Sequence, residues 1–463
     1  MLKSTLITIL VIFAVSCKGP SDQKQKTMNQ FNGAKGEVKL IILEPGHFHA
    51  ALLQKKMYEQ IFHEVKVYAD EGDGIKSYLA LIEQYNTRID SPTSWKEIVY
   101  SGPDFFEKMI ADKPGNLLVL AGNNSKKTEY ILQSVKNGIN VLADKPMVIS
   151  PDKFPMLLEA FDEAKKNGVL IYDIMTDRHE ITLILQKKLS LISVVFGDLQ
   201  KGTVEEPAII KENVHHFYKI ISGNPLVRPA WYYDVDQQGE GIVDVTTHMV
   251  DNIQWACFPG QSIDYSKDIE ILSSKRWPTE ITPAQFELST GVKEYPEYLM
   301  KNVQNNILKV FANGSITCKI KGVTAKVSVR WDYESKQKGG DTQYSIMRGT
   351  NANLIIKQGA EENYIPTLYV EALEGKNLDF ELGKAIDEDL QKEYPGLELI
   401  KIKKGFWKIN IPAKYKIGHE EHFGLVAEDF LKFLVDGKLP DWEEPNMKAK
   451  YYTTMEALKK ARE

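Results

Sequence analysis

Residues 38–43 read Val-Lys-Leu-Ile-Ile-Leu and run directly into Glu44-Pro-Gly46. A short apolar run that stops at a Pro-Gly turn is typical of a strand buried on both faces, as in a parallel sheet. Similar runs recur along the next 130 residues and alternate with helical stretches: strands at 65–70, 117–121, 139–143 and 169–174, and helices at 49–61, 104–111, 126–137 and 153–166. This alternation predicts a doubly wound parallel sheet.

Beyond about residue 178 the periodicity changes. Residues 325–331 alternate apolar and polar side chains, and three other stretches do so less cleanly: 306–311, 315–320 and 353–357. A period of two indicates antiparallel strands with one solvated face. The end is helical again, at 422–434 and 453–462. The sequence therefore predicts an α/β Rossmann-like N-terminal domain (37–177) and an α+β C-terminal domain (178–463) with a large, mostly antiparallel sheet.

The N-terminus carries a targeting pattern. A basic residue precedes the apolar run 6–15, which is shorter than the roughly 20 residues that span a bilayer. The run ends in Ala14-Val-Ser-Cys17, which resembles a bacterial lipoprotein signal; a plain secretory signal is the alternative. We expect a signal peptide at 1–16, a lipid on Cys17 and a flexible tether at 17–36. This places the protein in the bacterial cell envelope, anchored to a membrane and facing the periplasm or the cell surface.

Composition excludes some classes of function. The chain is 43% hydrophobic and 26% charged, as in ordinary globular proteins, and its net charge of −5 gives no reason to expect nucleic acid. Cys257 and Cys318 are far apart in sequence, so they do not form a disulfide framework.

The stretch Gly239-Glu-Gly-Ile-Val-Asp-Val-Thr-Thr-His-Met-Val-Asp251 carries a candidate proton-transfer pair. At helical spacing Asp244, His248 and Asp251 lie along one face. A carboxylate beside an imidazole fixes the tautomer of the ring and raises its pKa, so we expect Asp244 to orient and polarise His248. The alternative is a histidine packed in the core.

A second motif precedes it at Val141-Leu-Ala-Asp-Lys-Pro-Met147. Pro146 restricts Lys145 to an extended or turn conformation at the end of a strand. The carboxyl ends of strands in open α/β sheets border the ligand crevice, so Lys145 is expected to point into it. An ordinary surface turn is the alternative.

Together the two motifs resemble the glucose-fructose oxidoreductase, inositol dehydrogenase and MocA-type (Gfo/Idh/MocA) family, over roughly residues 37–463. That family has Glu-Lys-Pro where this chain has Asp144-Lys-Pro, and Gly-Gly-x-x-x-Asp-x-x-x-His where this chain has Glu240 in place of the second glycine. The resemblance implies three catalytic residues: Lys145, Asp244 and His248.

The resemblance also implies NAD or NADP as cofactor, held by residues of the strand-end loops: Gly46, His47, Asp70, Ala121, Asn123, Asn124 and Lys145. The usual Gly-x-Gly-x-x-Gly loop is altered, because Glu44 stands at the first glycine and His49 at the third. A carboxylate near a diphosphate is unfavourable unless it turns away. Glu44, His47 and His49 also have acceptable ligand chemistry for a metal, but neighbouring side chains on such a turn often diverge, and no metal site is assigned.

Three residues suit a polar substrate: Arg178, Arg228 and Trp231. Guanidinium groups donate to hydroxyls, and an indole face packs against the C–H face of a sugar; packing at the domain interface is the alternative. His215-His216 and His419-Glu-Glu-His422 lack the spacing of a zinc helix, and the latter is expected beside the cleft or on the surface.

These features predict an NAD(P)-dependent oxidoreductase acting on a sugar, polyol or glycoside. Outside the cytoplasm, such an enzyme must hold its cofactor tightly and recycle it within one catalytic cycle. Two alternatives remain open: an NAD-dependent glycosidase of the same fold, and a carbohydrate-binding lipoprotein that lacks a cofactor. The resemblance also implies a homo-oligomer formed through the C-terminal sheet.

Overall fold

The structure, a computed structural model, describes residues 31–221, 224–335 and 339–463. Cys17, the signal peptide and most of the predicted tether lie outside these ranges. Within them, no helix combines the length and the apolar character needed to cross a membrane.

The N-terminal half folds around a parallel sheet, as predicted, and this sheet has six strands. Its strands are β1 (Leu40–Leu43), β2 (Glu64–Ala69), β3 (Lys96–Ser101), β4 (Leu117–Leu120), β5 (Asn140–Asp144) and β6 (Ile171–Ile174). Its helices are α1 (His49–Leu52), α2 (Asp73–Thr87), α3 (Phe105–Asp112), α4 (Lys127–Lys136) and α5 (Phe154–Asn167). All pairings are parallel, in the order β3-β2-β1-β4-β5-β6. The strand order reverses between β1 and β4, which is where such sheets bind ligands.

Three elements of this half differ from the predictions. β3 and α2 were not predicted; β3 lies at the sheet edge and is mostly exposed, so it lacks the apolar run of a buried strand. The helix predicted over 49–61 is only one turn of α1 followed by a 3-10 turn at Leu53–Lys55. It ends there because Lys56 is extended.

The C-terminal half is built on a ten-stranded sheet. Its strands are β7 (Ile209–His216), β10 (Ile269–Ile281), β11 (Val303–Gln304), β12 (Ile307–Ile320), β13 (Val323–Asp332), β14 (Thr342–Arg348), β15 (Ala352–Gln358), β16 (Thr367–Ala372), β17 (Glu398–Lys403) and β18 (Phe406–Asn410), with a separate small pair β8 (Ile220–Ile221) and β9 (Asn224–Pro225). The order is β10-β12-β13-β7-β14-β15-β16-β18-β17, with β11 on β12. The β7–β13 pairing is parallel and the others are antiparallel, which confirms the predicted sheet type. The two strands predicted at 306–311 and 315–320 form one continuous strand, β12.

Helices cover this sheet and connect it to the first one. They are α6 (Ile181–Ser190), α7 (Ser193–Phe196), α8 (Val235–Gln238), α9 (Val245–Cys257), α10 (Pro283–Thr290), α11 (Asp379–Lys384), α12 (Gln391–Glu393), α13 (His419–Asp436) and α14 (Glu443–Arg462). The last two helices return to the N-terminal half. On α13, Phe430 stacks on Tyr172 of β6 with 5.6 Å between ring centroids, and α14 packs against α5, α9 and β10.

A buried cluster of charged side chains joins the two halves. The Arg178 guanidinium donates to Asp251 of α9 at 2.6 and 2.7 Å and to Glu443 of α14 at 2.8 Å through both terminal nitrogens. Lys450 of α14 lies 2.7 Å from Asp173 of β6 and 2.8 Å from Asp251. These five residues, here called the interdomain ion cluster, attach α9 and α14 to the edge of the parallel sheet.

The glycine turn before α9 is shaped by close backbone contact. Gly239 has a φ of 99°, in the region that favours glycine. A Cβ on Gly241 would lie 1.7 Å from the carbonyl oxygen of Ala312 in β12. The turn can therefore pack directly on the C-terminal sheet only with glycine at position 241.

Glu240, which replaces the family's second glycine, has a structural role. Its buried carboxylate accepts hydrogen bonds from Arg276 of β10 at 3.1 Å and from Arg462 at the end of α14 at 2.8 Å. The glutamate thus connects the turn to the second sheet and to the last helix.

Replacement of Lys450 by Met should lower the free energy of unfolding by about 3–5 kcal/mol, because two buried carboxylates lose their shared ammonium group. Chemical denaturation followed by circular dichroism measures the change. The matched control is Lys459→Met on the exposed side of the same helix, which should stay within about 0.5 kcal/mol of the parent. Equal effects of the two substitutions would show that the interdomain ion cluster contributes no net stability.

Gly241→Ala should destabilise the protein by about 1–3 kcal/mol or more, because the new Cβ meets backbone that cannot rotate away. Gly383→Ala in α11 is the control. Its Cβ would have no neighbour within 4 Å, so it should leave stability unchanged or raise it by up to about 1 kcal/mol. Thermal unfolding compares the two; a Gly241→Ala protein as stable as the parent would contradict the close contact.

Candidate active site

The three predicted catalytic residues, Lys145, Asp244 and His248, lie at the carboxyl edge of the parallel sheet. The loops after β1, β4, β5 and β6 open there, and the N-terminal end of α9 faces them from the C-terminal half. The site is thus formed where the two halves of the chain meet.

Lys145 and Asp244 form the direct contact across this junction. The Lys145–Pro146 peptide is cis, and the lysine Nζ donates to Asp244 Oδ1 at 2.6 Å. Gln238 Nε2 donates to the other carboxylate oxygen at 3.2 Å. Burial lowers the pKa of Lys145, but Asp244 and Asp144 outweigh it and the pKa is raised, so the lysine is an ammonium group at neutral pH.

The predicted pairing of Asp244 with His248 is corrected. Asp244 is the N-cap residue immediately before α9, and its carboxylate contacts Lys145. The carboxylate near His248 is instead Asp177, whose Oδ2 lies 4.0 Å from Nδ1 of the ring. That nitrogen is buried and has no hydrogen-bond partner among the described residues. Burial lowers the pKa of His248, so the ring is neutral at neutral pH.

Asp177 was not identified from the sequence. It lies just past β6, beside Arg178, in the short 3-10 turn Thr176–His179. A carboxylate that follows a buried parallel strand is the signal that would have identified it.

Arg178 does not fit its predicted role in substrate binding. Its guanidinium is buried in the interdomain ion cluster, with both neighbouring carboxylates bound in bidentate fashion. Asp251, predicted on the same helix face as His248, is one of those carboxylates. The ion pair between Arg178 and Asp251 raises the pKa of Arg178 well above its usual value, although the guanidinium is buried. The same pair holds the pKa of Asp251 well below its usual value.

The Arg228 guanidinium also binds groups of the protein itself. Its Nε donates to the carbonyl of Phe217 at 2.8 Å and its Nη2 to the carbonyl of His216 at 3.1 Å, and the guanidinium lies over the ring of Tyr232 at 4.7 Å. Its predicted contact with substrate is therefore replaced by a role in holding the end of β7.

A cleft of about 190 Å³ lies at the switch point of the sheet. It is lined by four of the residues predicted to bind the cofactor or the substrate: Gly46, Asp70, Asn123 and Trp231. Its lining is Glu44, Pro45, Gly46, Ala69, Asp70, Glu71, Gly72, Gly74, Ile75, Asn123 and Trp231. Trp231 thus borders the cleft assigned to the cofactor; a Cβ on Gly46 would be 3.6 Å from its ring.

Glu44 is accommodated at the first glycine position. Its φ of 46° lies in the left-handed region that favours glycine. The carboxyl accepts a hydrogen bond from Tyr130 Oη at 2.9 Å. Burial raises the pKa of Glu44, and the hydrogen bond from Tyr130 opposes that shift.

The loop after β4 contacts the segment before the glycine turn, and one of its predicted cofactor residues, Asn123, also lines the cleft. Asn123 Nδ2 donates to Gln237 Oε1 at 2.7 Å, and Asn124 Nδ2 donates to the carbonyl of Gln238 at 2.8 Å. Asn124 is buried, so it holds the segment before the glycine turn instead of contacting a cofactor. The carbonyl of Ala121 accepts from the backbone N–H of His47 at 3.4 Å, which fixes the loop after β1.

Histidines from distant segments gather beside Lys145. His49 Nδ1 lies 2.8 Å from Asp144 Oδ2, and the rings of His47 and His49 are 4.1 Å apart. His419, at the start of α13, stacks on His49 at 4.9 Å, so it lies beside the cleft. Burial, together with neighbouring histidines, lowers the pKa of His47 strongly and that of His419 to about 4.

His215 and His216 form a separate group at the end of β7. Both rings hydrogen-bond to Asp341, at 2.9 and 3.0 Å, and Lys219 pairs with the same carboxylate. Their partner is thus a carboxylate on the segment before β14.

Comparison with known proteins identifies the family. Residues 185–462 match the family described as "Putative oxidoreductase C terminal domain". The crystal structure of a "putative oxidoreductase" from Parabacteroides merdae is 54% identical, with a TM-score of 0.92, and the alignment covers 94% of this chain and 99% of that one. No curated protein matches this chain.

Two more distant structures share the fold. A levoglucosan dehydrogenase, solved with NADH and levoglucosan, is 12% identical with a TM-score of 0.56, over 92% of this chain and 97% of that one. KijD10, a 3-ketoreductase from Actinomadura kijaniata solved with NADP and TDP-benzene, is 12% identical with a TM-score of 0.53, over 89% and 94%. The chain therefore belongs to the oxidoreductase family that carries this C-terminal domain, and its fold is that of the Gfo/Idh/MocA-type oxidoreductases.

Proposed function

We propose that this oxidoreductase uses a nicotinamide dinucleotide to oxidise a hydroxyl group of a sugar, polyol or glycoside. The observation that supports this most directly is the Lys145–Asp244 contact at the carboxyl edge of the sheet, with His248 one turn further along the same helix. This contact supports a site in which the ammonium group of Lys145 and the neutral imidazole of His248 act together at the carboxyl edge of the sheet.

The two groups have complementary roles. His248 is neutral at neutral pH, because burial lowers its pKa, and it accepts the proton of the substrate hydroxyl. Asp177 stabilises the imidazolium that results. Lys145 donates a hydrogen bond to the substrate oxygen and stabilises its developing negative charge, while Asp244 holds the ammonium in position. When bound, the nicotinamide supplies the acceptor for the hydride.

The residues of the cleft fit the ribose end of such a cofactor. Asp70 follows β2 and lines the cleft, where a carboxylate binds ribose hydroxyls. Glu71 adds a second acid, and no arginine is among the lining residues, so NAD is favoured over NADP, whose 2′-phosphate would be repelled. The levoglucosan dehydrogenase of the same fold was solved with NADH.

The catalytic roles predict large effects on rate. Lys145→Met and His248→Ala should each lower turnover by about 10²–10⁴-fold, because each removes a group that moves or stabilises charge in the transition state. Both variants should still release the same amount of nicotinamide dinucleotide on denaturation as the parent. Steady-state rates on a panel of aldoses and glycosides, with dinucleotide content, provide the measurement.

Lys459→Met and His63→Ala are the matched controls, since both residues are exposed and lie outside the site. Full activity of a Lys145→Met, His248→Ala double variant would remove both residues from the mechanism. Parent protein that neither contains nor binds dinucleotide would favour the cofactor-free carbohydrate-binding alternative.

We also propose that the protein is anchored in the cell envelope through a lipid on Cys17, and that it recycles its cofactor in place. The apolar run followed by Ala-Val-Ser-Cys supports the anchor. Cys17→Ala should abolish lipid attachment and move the protein from the membrane fraction to the soluble fraction, as followed by immunoblotting of fractionated cells. Membrane association that survives this substitution would exclude lipidation at Cys17.

A further inference from the structure

We propose that His47, His49 and Asp144 form a binding site for one divalent transition-metal ion of the zinc type, next to Lys145. One ligand atom from each of the three side chains lies within 4.8 Å of the other two. This site goes beyond the proposed oxidoreductase function, in which none of these side chains transfers the proton or stabilises charge on the substrate oxygen.

The spacing suits a single ion. Zinc binds imidazole nitrogen and carboxylate oxygen at about 2.0–2.2 Å, so two ligand atoms on one ion are at most about 4.2–4.4 Å apart. The three atoms satisfy this limit after movements of about half an ångström, which rotation of an imidazole provides. Two imidazoles and a carboxylate are a common ligand set for zinc, and they leave a fourth position for water or substrate.

The local fold brings these ligands together from two strand ends. His47 lies in the loop after β1 and His49 is the first residue of α1, and side chains two residues apart at such a turn ordinarily point away from each other. Here the chain turns into the short helix α1, and the rings come to 4.1 Å with an interplanar angle of 87°. Asp144 ends β5, two strands away in the sheet, and reaches His49 at 2.8 Å.

Charge around the site permits a cation. Lys145 is neutralised by Asp244, and Lys127 uses the backbone carbonyl of Asp144 at 2.8 Å, so neither ammonium group occupies the carboxylate of Asp144. The Asp144 side chain is largely buried, with about a tenth of its surface exposed, and a buried carboxylate requires a cationic or hydrogen-bonding partner. A metal ion supplies such a partner.

A second layer of side chains holds the ligands in place. The ring of His419 stacks on His49 at 4.9 Å, and Phe423 packs against the same ring at 5.1 Å. Both come from α13, so the site is complete only when this C-terminal helix is docked. Fixed ligand orientation of this kind strengthens metal binding.

The structure excludes one member of the trio considered from sequence. Glu44 stands two residues before Gly46, but its carboxyl accepts a hydrogen bond from Tyr130 and it is not part of the ligand group. Glu44 therefore provides a matched control for Asp144.

The test is titration of chelator-treated, full-length protein with Co²⁺, read by the visible absorption of tetrahedral or five-coordinate cobalt, with Zn²⁺ competition for affinity. One ion should bind per chain. His47→Gln and Asp144→Asn should each weaken binding by more than about tenfold, since even the loss of an outer partner of a ligand costs roughly 10–100-fold. Glu44→Gln and His63→Gln should bind as the parent does.

Circular dichroism establishes that each variant is folded, and dinucleotide release is measured on the same samples. Absence of stoichiometric cobalt binding by the parent, or unchanged binding by folded His47→Gln, overturns the metal site. Neither result bears on the nicotinamide-dependent reaction, because dinucleotide content is read independently of cobalt.

Discussion

The position of α9 depends on the interdomain ion cluster. Taking five charged side chains out of water is costly, and the cost is offset only when each finds its partners with good geometry. Arg178 meets this condition through bidentate contacts to Asp251 and Glu443, and Lys450 does so through two carboxylates. Since these contacts form only in one arrangement of α9 and α14 against β6, they select a single placement of α9. The 2.6 Å contact between Lys145 and Asp244 at the other end of α9 follows from that placement.

Much of the parallel sheet could be predicted from sequence, because strands buried on both faces appear as continuous apolar runs. β3 was missed since it is a mostly exposed edge strand whose apolar run is only three residues long, and α1 was overextended since the break at Lys56 has no proline or glycine to mark it. The alternating strands of the second sheet were predicted, but the two strands predicted at 306–311 and 315–320 form one long strand, β12.

The sequence predicted which residues form the candidate site better than it predicted which of them contact each other. Lys145, Asp244 and His248 lie at one edge of the sheet. The helical spacing of Asp244 and His248 did not predict that Asp244 contacts Lys145 or that Asp177 is the carboxylate near His248. Asp244 is the N-cap residue before α9, outside the helical turns that the spacing assumed, and its carboxylate contacts Lys145. The buried guanidinium of Arg178 shows the same limit: its partners lie 73 and 265 residues away in sequence. Only the folded chain brings them within reach.

The return of α14 to the first sheet has a consequence for the order in which the chain can complete its fold. β6 belongs to the half that emerges first during synthesis, yet its buried Asp173 receives both Lys450 and the hydroxyl of Tyr451 from the last helix. Until Lys450 and Tyr451 are made, the carboxylate of Asp173 lacks the two groups that bind it in the folded chain. The N-terminal half is therefore completed only after the last helix has been made. A chain without its last few dozen residues would lack the two groups that bind Asp173.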